Sequence, residues 1–121
     1  MKNCSKFYGL VSKQLDFLPK YMNHAVCATD DPNVEQKPSP SCYLEAARRF
    51  KDPPANMEQV LVFEDSVTGL IGALASGAKT VLIDDINKKY NQDHIDIVKK
   101  ANLIVPTLEH FDPVQFGLPP L

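Results

Sequence analysis

Apolar residues recur at helical spacing near the start of the chain: Phe7, Leu10, Val11, Leu15 and Leu18, with Lys13 and Asp16 between them. This spacing predicts an amphipathic helix over 7–18, ended by Pro19. HAVCA at 24–28 is a short apolar run before TDDPN, which predicts a buried strand and then a turn. VEQKPSPS follows as a loop. Ser39 is placed to cap a helix whose first residue is Pro40, where the missing N–H would be unpaired anyway. Tyr43, Ala47 and Phe50 share one face of that helix, and DPP at 52–54 ends it.

QVLVF at 59–63 is continuously apolar and predicts the next strand. Ser66 is a plausible N-cap for a helix with Val67, Leu70, Ile71 and Leu74 inward, and Gly77 supplies the stop. KTVLI at 79–83 predicts a further strand; Ile95, Val98 and Ala101 predict a further helix; residues 103–105 predict a last short strand. The tail, FDPVQFGLPPL, is turn-rich and apolar and is expected to lie over a surface. Strands that are apolar throughout and alternate with helices predict an α/β, doubly wound fold, its parallel sheet buried on both faces. Ligands in such folds sit beyond the carboxyl ends of the strands. Those ends carry Asp30–Asp31, Glu64–Asp65–Ser66 and Asp84–Asp85.

Composition narrows the picture by exclusion. The chain has 121 residues, enough for one domain at most, and 13 Lys+Arg against 15 Asp+Glu give a net charge of −2. That balance offers no electrostatic reason for a nucleic acid or an anionic membrane as partner. No apolar run reaches the roughly 18 residues of a membrane span, and the amino terminus lacks a continuous apolar signal region. Three cysteines without C-x-x-C spacing suggest neither a disulfide framework nor a zinc site, and fit a reducing cytosol. Cys27 is expected to be a small core residue without a reactive thiol.

The acidic pair Glu64–Asp65 has two readings. The carboxylates favour the positive end of the following helix, or, as hard oxygen donors at a strand-to-helix turn, they hold Mg²⁺ together with waters and a substrate phosphate. Gly69 and Gly72 each cost that helix about 1 kcal/mol relative to Ala, which points to close packing against a neighbouring strand or a ligand loop. Lys37 precedes a helix N-terminus, where a cation is misplaced for stability but well placed to meet a phosphate; the alternative is a solvated loop lysine. Asp30–Asp31 before Pro32 reads as turn chemistry. His24, His94 and His110 have no ligand spacing and are expected to be structural or solvated.

Lys37-Pro38-Ser39-Pro40, Tyr43 and VFEDSVTGLIGALASGA at 62–78 together resemble two motifs of the haloacid dehalogenase-like (HAD) phosphohydrolases. DDPNVEQKPSP and the tail FDPVQFGLP narrow the resemblance to the C-terminal half of the pseudouridine-5'-phosphatase branch of that family. The resemblance implies a Rossmann-like HAD core and hydrolysis of a small phosphorylated metabolite with Mg²⁺ as cofactor. In the family an Asp nucleophile forms an aspartyl-phosphate, and a second Asp two residues on is general acid and base, both in D-x-D-G-T. Lys37 matches the lysine that neutralises the nucleophile and the transferring phosphoryl group. Glu64 and Asp65 match the acidic residues that anchor Mg²⁺. Ser66 is a weaker candidate for phosphate contact.

The 121 residues contain no D-x-D-G-T. They match a single partial HAD-like core, 1–121, without its first, central strand, without a nucleophile and without the cap that selects substrate. Ser41 stands where the family usually has Asp. A missing central strand would leave sheet edges with free N–H and C=O groups, which invite pairing with another chain. The chain alone is therefore expected to be poorly stable and inactive, and to bind Mg²⁺ at about millimolar affinity or weaker, roughly −4 kcal/mol. The alternative is a non-catalytic short product that pairs with another chain or regulates a full-length paralogue through those edges.

Overall fold

The computed structural model describes residues 20–85 and 87–121, so the helix expected over 7–18 lies outside the described residues. Helix α1 is Ser41–Arg48, strand β1 Leu61–Glu64, helix α2 Val67–Ser76, strand β2 Lys79–Ile83, helix α3 Gln92–Val98 and strand β3 Leu103–Val105. Single 3₁₀ turns occupy Met57–Gln59, Leu108–His110 and Pro113–Phe116. The three strands form one parallel sheet in the order β1-β2-β3, with Phe63 opposite Val81 and Leu82 opposite Ile104. Successive strands added in one direction by right-handed crossovers put the connecting helices on one face. Accordingly α2 packs against α1, α3 and both β1 and β2.

Two apolar clusters fill the space beneath α2. One joins Val62, Ala73 and Ala78 to Tyr43, Met57 and Val60. The other joins Leu70, Leu82 and Val98 to Val67, Leu74, Tyr90, Ile97, Ala101 and Ile104. Leu70 and Leu82 are fully buried, and truncating either to Ala would cost about 2–5 kcal/mol. Thr80 is as deeply buried; its amide donates to Asn102 Oδ1 at 2.8 Å, which ties β2 to the turn before β3. Burial on both faces, expected for every strand, holds for the central β2 only. In β1, Val62 and Glu64 are buried while Phe63 is 40% exposed on the opposite face, where it meets Phe111 edge to face at 4.9 Å. The tail thus lies over that face as expected.

Three expectations shift. HAVCA forms no strand: residues 24–28 are irregular and at most half-buried. An apolar run becomes a strand only with a ladder partner, and among the described residues β1 ends the sheet without one beyond it. QVLVF begins as strand only at Leu61, because Asn56 accepts the Glu58 amide and starts a 3₁₀ turn. Pro40 is the N-cap of α1 rather than its first residue; its carbonyl accepts from Tyr43 and Leu44, while Ser39 Oγ accepts the Ser41 amide at 3.2 Å. The α2 signals hold: Ser66 Oγ accepts the Gly69 amide at 3.0 Å, and Gly77 closes the helix at φ 87°, in the left-handed region that favours glycine.

Two predictions follow from this packing. A Cβ on Gly72 would stand 2.9 Å from the Ser39 carbonyl oxygen and 3.0 Å from that of Pro38, backbone atoms that cannot swing away. Helix propensity alone makes Gly72→Ala stabilising by about 1 kcal/mol; overpacking reverses the sign, and urea denaturation should show a net loss of about 1–3 kcal/mol. Asp84, after β2, accepts from the Tyr90 hydroxyl and from Lys88 Nζ at 3.0 Å, and these bonds, Tyr90 first, hold its carboxyl below the ordinary range. A depressed folded value means the stabilisation is complete above the ordinary aspartate pKa of about 3.9 and fades as pH falls through the folded one. The acid limb of the stability profile should therefore flatten in Asp84→Asn.

Candidate functional site

Four segments meet at the carboxyl end of β1. Residue 64 is the last of that strand, and its alternation with Phe63 turns the Glu64 side chain toward the α2 face, where it is 6% exposed. The loop before α1 brings Lys37, which is followed by a cis peptide bond to Pro38. Helix α1 brings Tyr43, and the first turn of α2 brings Gly69. Lys37 Nζ lies 2.5 Å from Glu64 Oε1, and the Tyr43 hydroxyl donates to the same oxygen while standing 3.0 Å from the Gly69 carbonyl. Lys37 Nζ also sits 5.4 Å from the centre of the Tyr43 ring. A buried carboxylate is costly unless charge-paired and hydrogen-bonded; here one oxygen has a cation and a phenol.

The glycines make this possible. A Cβ on Gly69 would fall 1.9 Å from Glu64 Oε2 and 2.2 Å from its carboxyl carbon, so only a glycine leaves room for the carboxylate. Gly72 admits the Pro38–Ser39 backbone and the edge of the Tyr43 ring. The glycine spacing read as a sign of close approach thus packs α2 against both a strand residue and the lysine loop. Burial, then the hydrogen bond to Glu64, push the Tyr43 phenol well above its usual range. Burial also pushes the Cys42 thiol up, which keeps it from being a ready nucleophile.

The other candidates separate by location. Asp65, next to Glu64 in the chain, is exposed at the sheet's carboxyl end. Ser66 is exposed and its hydroxyl is engaged as the α2 cap. Asp31 acts in its turn: Oδ1 accepts the Asn33 amide at 2.9 Å and Oδ2 pairs with Arg49 at the end of α1. Ser41 retains a loop bond, its Oγ accepting the Glu35 amide at 3.1 Å. His24 spans to the Ala46 carbonyl at 2.7 Å and meets Phe50 edge to face. His94 and His110 are exposed. Tyr43 reads in the sequence as a core-facing residue of α1 and as part of the family-like motif, with no role given to its hydroxyl; the signal for one is its polar tip, six residues after Lys37.

For a divalent cation the donor set is small. Asp65 offers an open carboxylate, whereas Glu64 Oε1 is already charge-paired. That leaves Asp65 as the open hard-oxygen donor of the pair, and an Mg²⁺ bound through one carboxylate would keep most of its waters, the usual habit of that ion. Among the described residues no group of three or more His, Cys, Asp or Glu side chains could hold a metal, and no helix is long and apolar enough to cross a membrane.

Known proteins resemble this chain in sequence. The family model of haloacid dehalogenase-like hydrolases matches residues 6–77, more than half of the chain. The chain is 38% identical over 117 residues to (DL)-glycerol-3-phosphatase 2 of Arabidopsis thaliana, covering 96% of this chain and 46% of that protein. It is 38% identical over 98 residues to a probable pseudouridine-5'-phosphatase of Drosophila melanogaster, covering 80% and 40%. A bifunctional riboflavin kinase/FMN phosphatase of Arabidopsis thaliana is 34% identical over 96 residues, covering 79% and 23%. The chain spans less than half the length of each of these relatives. With the Lys37–Glu64 pair at the carboxyl end of a parallel sheet and the family model matched across it, the chain belongs to the haloacid dehalogenase-like hydrolases.

Proposed function

We propose that this chain contributes the lysine and acidic side of an Mg²⁺-dependent phosphomonoester hydrolase site. The Lys37–Glu64 pair at the carboxyl end of the sheet carries this reading. Lys37 is the phosphate-site cation: its ammonium is fixed on one side by Glu64, yet its side chain is 43% exposed, open to a dianionic group on the other. Asp65 is the open carboxylate for Mg²⁺; Glu64 adjoins the metal and holds the lysine. Bound Mg²⁺ would neutralise charge on the phosphoryl oxygens. Ser66 contributes at most through the amides its cap aligns at the α2 N-terminus. Positioning and charge neutralisation carry phosphoryl transfer. The Asp nucleophile and the acid/base Asp, expected from D-x-D-G-T, are not among these 121 residues, and Glu64 does not replace them, being buried and paired.

The substrate class is a small phosphorylated metabolite. The relatives are named for glycerol 3-phosphate, pseudouridine 5'-phosphate and FMN, which share a phosphomonoester. Pseudouridine 5'-phosphate is the member to test first, on the likeness of residues 30–40 and 111–119 to that branch. A second reading, a non-catalytic chain that pairs with another protein, draws on β1, whose outer edge is unpaired among the described residues.

The test is reconstitution. The chain is mixed with a polypeptide that carries the family's D-x-D-G-T, taken from the part of the Drosophila relative that this chain does not cover, and hydrolysis of p-nitrophenyl phosphate and pseudouridine 5'-phosphate is followed. The expected result is Mg²⁺-dependent turnover in the mixture and none from the chain alone. Lys37→Ala should lower it about 100-fold, the usual loss on removing one preorganised charge-stabilising group, and Asp65→Asn should raise the Mg²⁺ requirement. Association of the halves without turnover under any Mg²⁺ concentration would favour the second reading. Turnover by the chain alone, abolished in Glu64→Ala, would contradict the missing nucleophile.

A further inference from the structure

We propose that the Tyr43 hydroxyl is a positioning group for Lys37, acting through the Glu64 carboxylate. Lysine is a compact charge on a flexible four-carbon stem, and a partly exposed one readily exchanges a protein partner for water. To be held at one place it needs an acceptor that is itself fixed. Glu64 is fixed from three sides. Its backbone belongs to β1. Its Oε2 fills the notch left by the missing Cβ of Gly69. Its Oε1 takes the Tyr43 hydroxyl together with Lys37.

The Tyr43 ring does not owe its own position to that hydrogen bond. It belongs to the Val62–Ala73–Ala78 cluster, and its edge lies over Gly72, where a Cβ would come within 3.1 Å of Cε2. Packing therefore aims the hydroxyl, the hydroxyl aims the carboxylate, and the carboxylate aims the ammonium. The same ring faces Lys37 Nζ at 5.4 Å, an attraction that needs no hydroxyl. Tyr43→Phe thus keeps the ring packing and the cation–π contact and removes only the hydroxyl, with its bond to Glu64 and its 3.0 Å approach to the Gly69 carbonyl.

This inference rests on the reading above only in calling Lys37 the phosphate-site cation; the hydrogen-bond chain stands without it. The experiment is amine acetylation of the full chain, followed residue by residue by peptide mass spectrometry. Lys88, paired with Asp84 at 3.0 Å and 5.1 Å from the Tyr90 ring, is the internal reference. In Tyr43→Phe, Lys37 should react about tenfold faster than in the wild type, the population change expected for losing one hydrogen bond to a charged group, with Lys88 unchanged. An unchanged Lys37 rate overturns the proposal. A rise shared by Lys88 and the remote Lys100 marks general loosening and also overturns it. The wild-type chain gives a second reading that needs no variant: the Tyr43 hydroxyl proton should appear in proton NMR as a slowly exchanging resonance with a cross-peak to the Lys37 side chain, and its absence overturns the proposal. Neither readout involves turnover, so a failed reconstitution leaves this result standing, and the reverse.

Discussion

The arrangement depends on one buried carboxylate. Glu64 ends a strand inside a parallel α/β layer, where an unpaired charge would cost several kcal/mol. Everything around it reduces that cost. Lys37 supplies the opposite charge, Tyr43 supplies a neutral donor, and Gly69 supplies the space. Gly72 extends the logic by one helical turn, since the lysine loop reaches Glu64 only by running its backbone against α2. The helix gives up propensity at two positions and gains contact with a strand end and a loop. These five residues act as one unit, so single substitutions among them should not add independently.

The sheet explains why the unit lies where it does. Strand order β1-β2-β3 sends both crossovers to one face, leaving the carboxyl ends of the strands open as a rim. Asp65 stands on that rim, exposed, while its neighbour Glu64 is drawn under α2. Adjacent residues of the same chemistry are thereby divided: one carboxylate is committed to a lysine, the other stays available. The far face of β1 is covered in part by the tail, through Phe111 against Phe63 and Phe116 against Phe111. The chain spans less than half the length of these relatives, and among the described residues the outer edge of β1 has no partner strand.

Much of this was legible in the sequence, and the exceptions have physical causes. KTVLI and residues 103–105 match their strands because short continuous apolar runs between turn signals leave little choice of register. Ser66 and Gly77 act at a distance of three residues or fewer, so the α2 boundaries read directly. HAVCA failed because apolarity reports a tendency to be buried and not the presence of a ladder partner. Lys37 and Glu64 were legible as separate candidates, each beside a helix start. Their contact was not, because it spans 27 residues and depends on how tightly α2 approaches. The glycines hinted at that approach without naming what would fill the space. Tyr43 was read as a core residue since helical periodicity records which face a ring occupies and says nothing of where its hydroxyl ends.

The central claim is that Glu64 holds the Lys37 ammonium in place. The most direct measurement is nitrogen-15 relaxation of the Lys37 ammonium group, compared between the wild-type chain and Glu64→Gln. A restricted ammonium is expected in the wild type, becoming as mobile as the other exposed lysines in the variant. Equal, high mobility of Lys37 in both chains would contradict it.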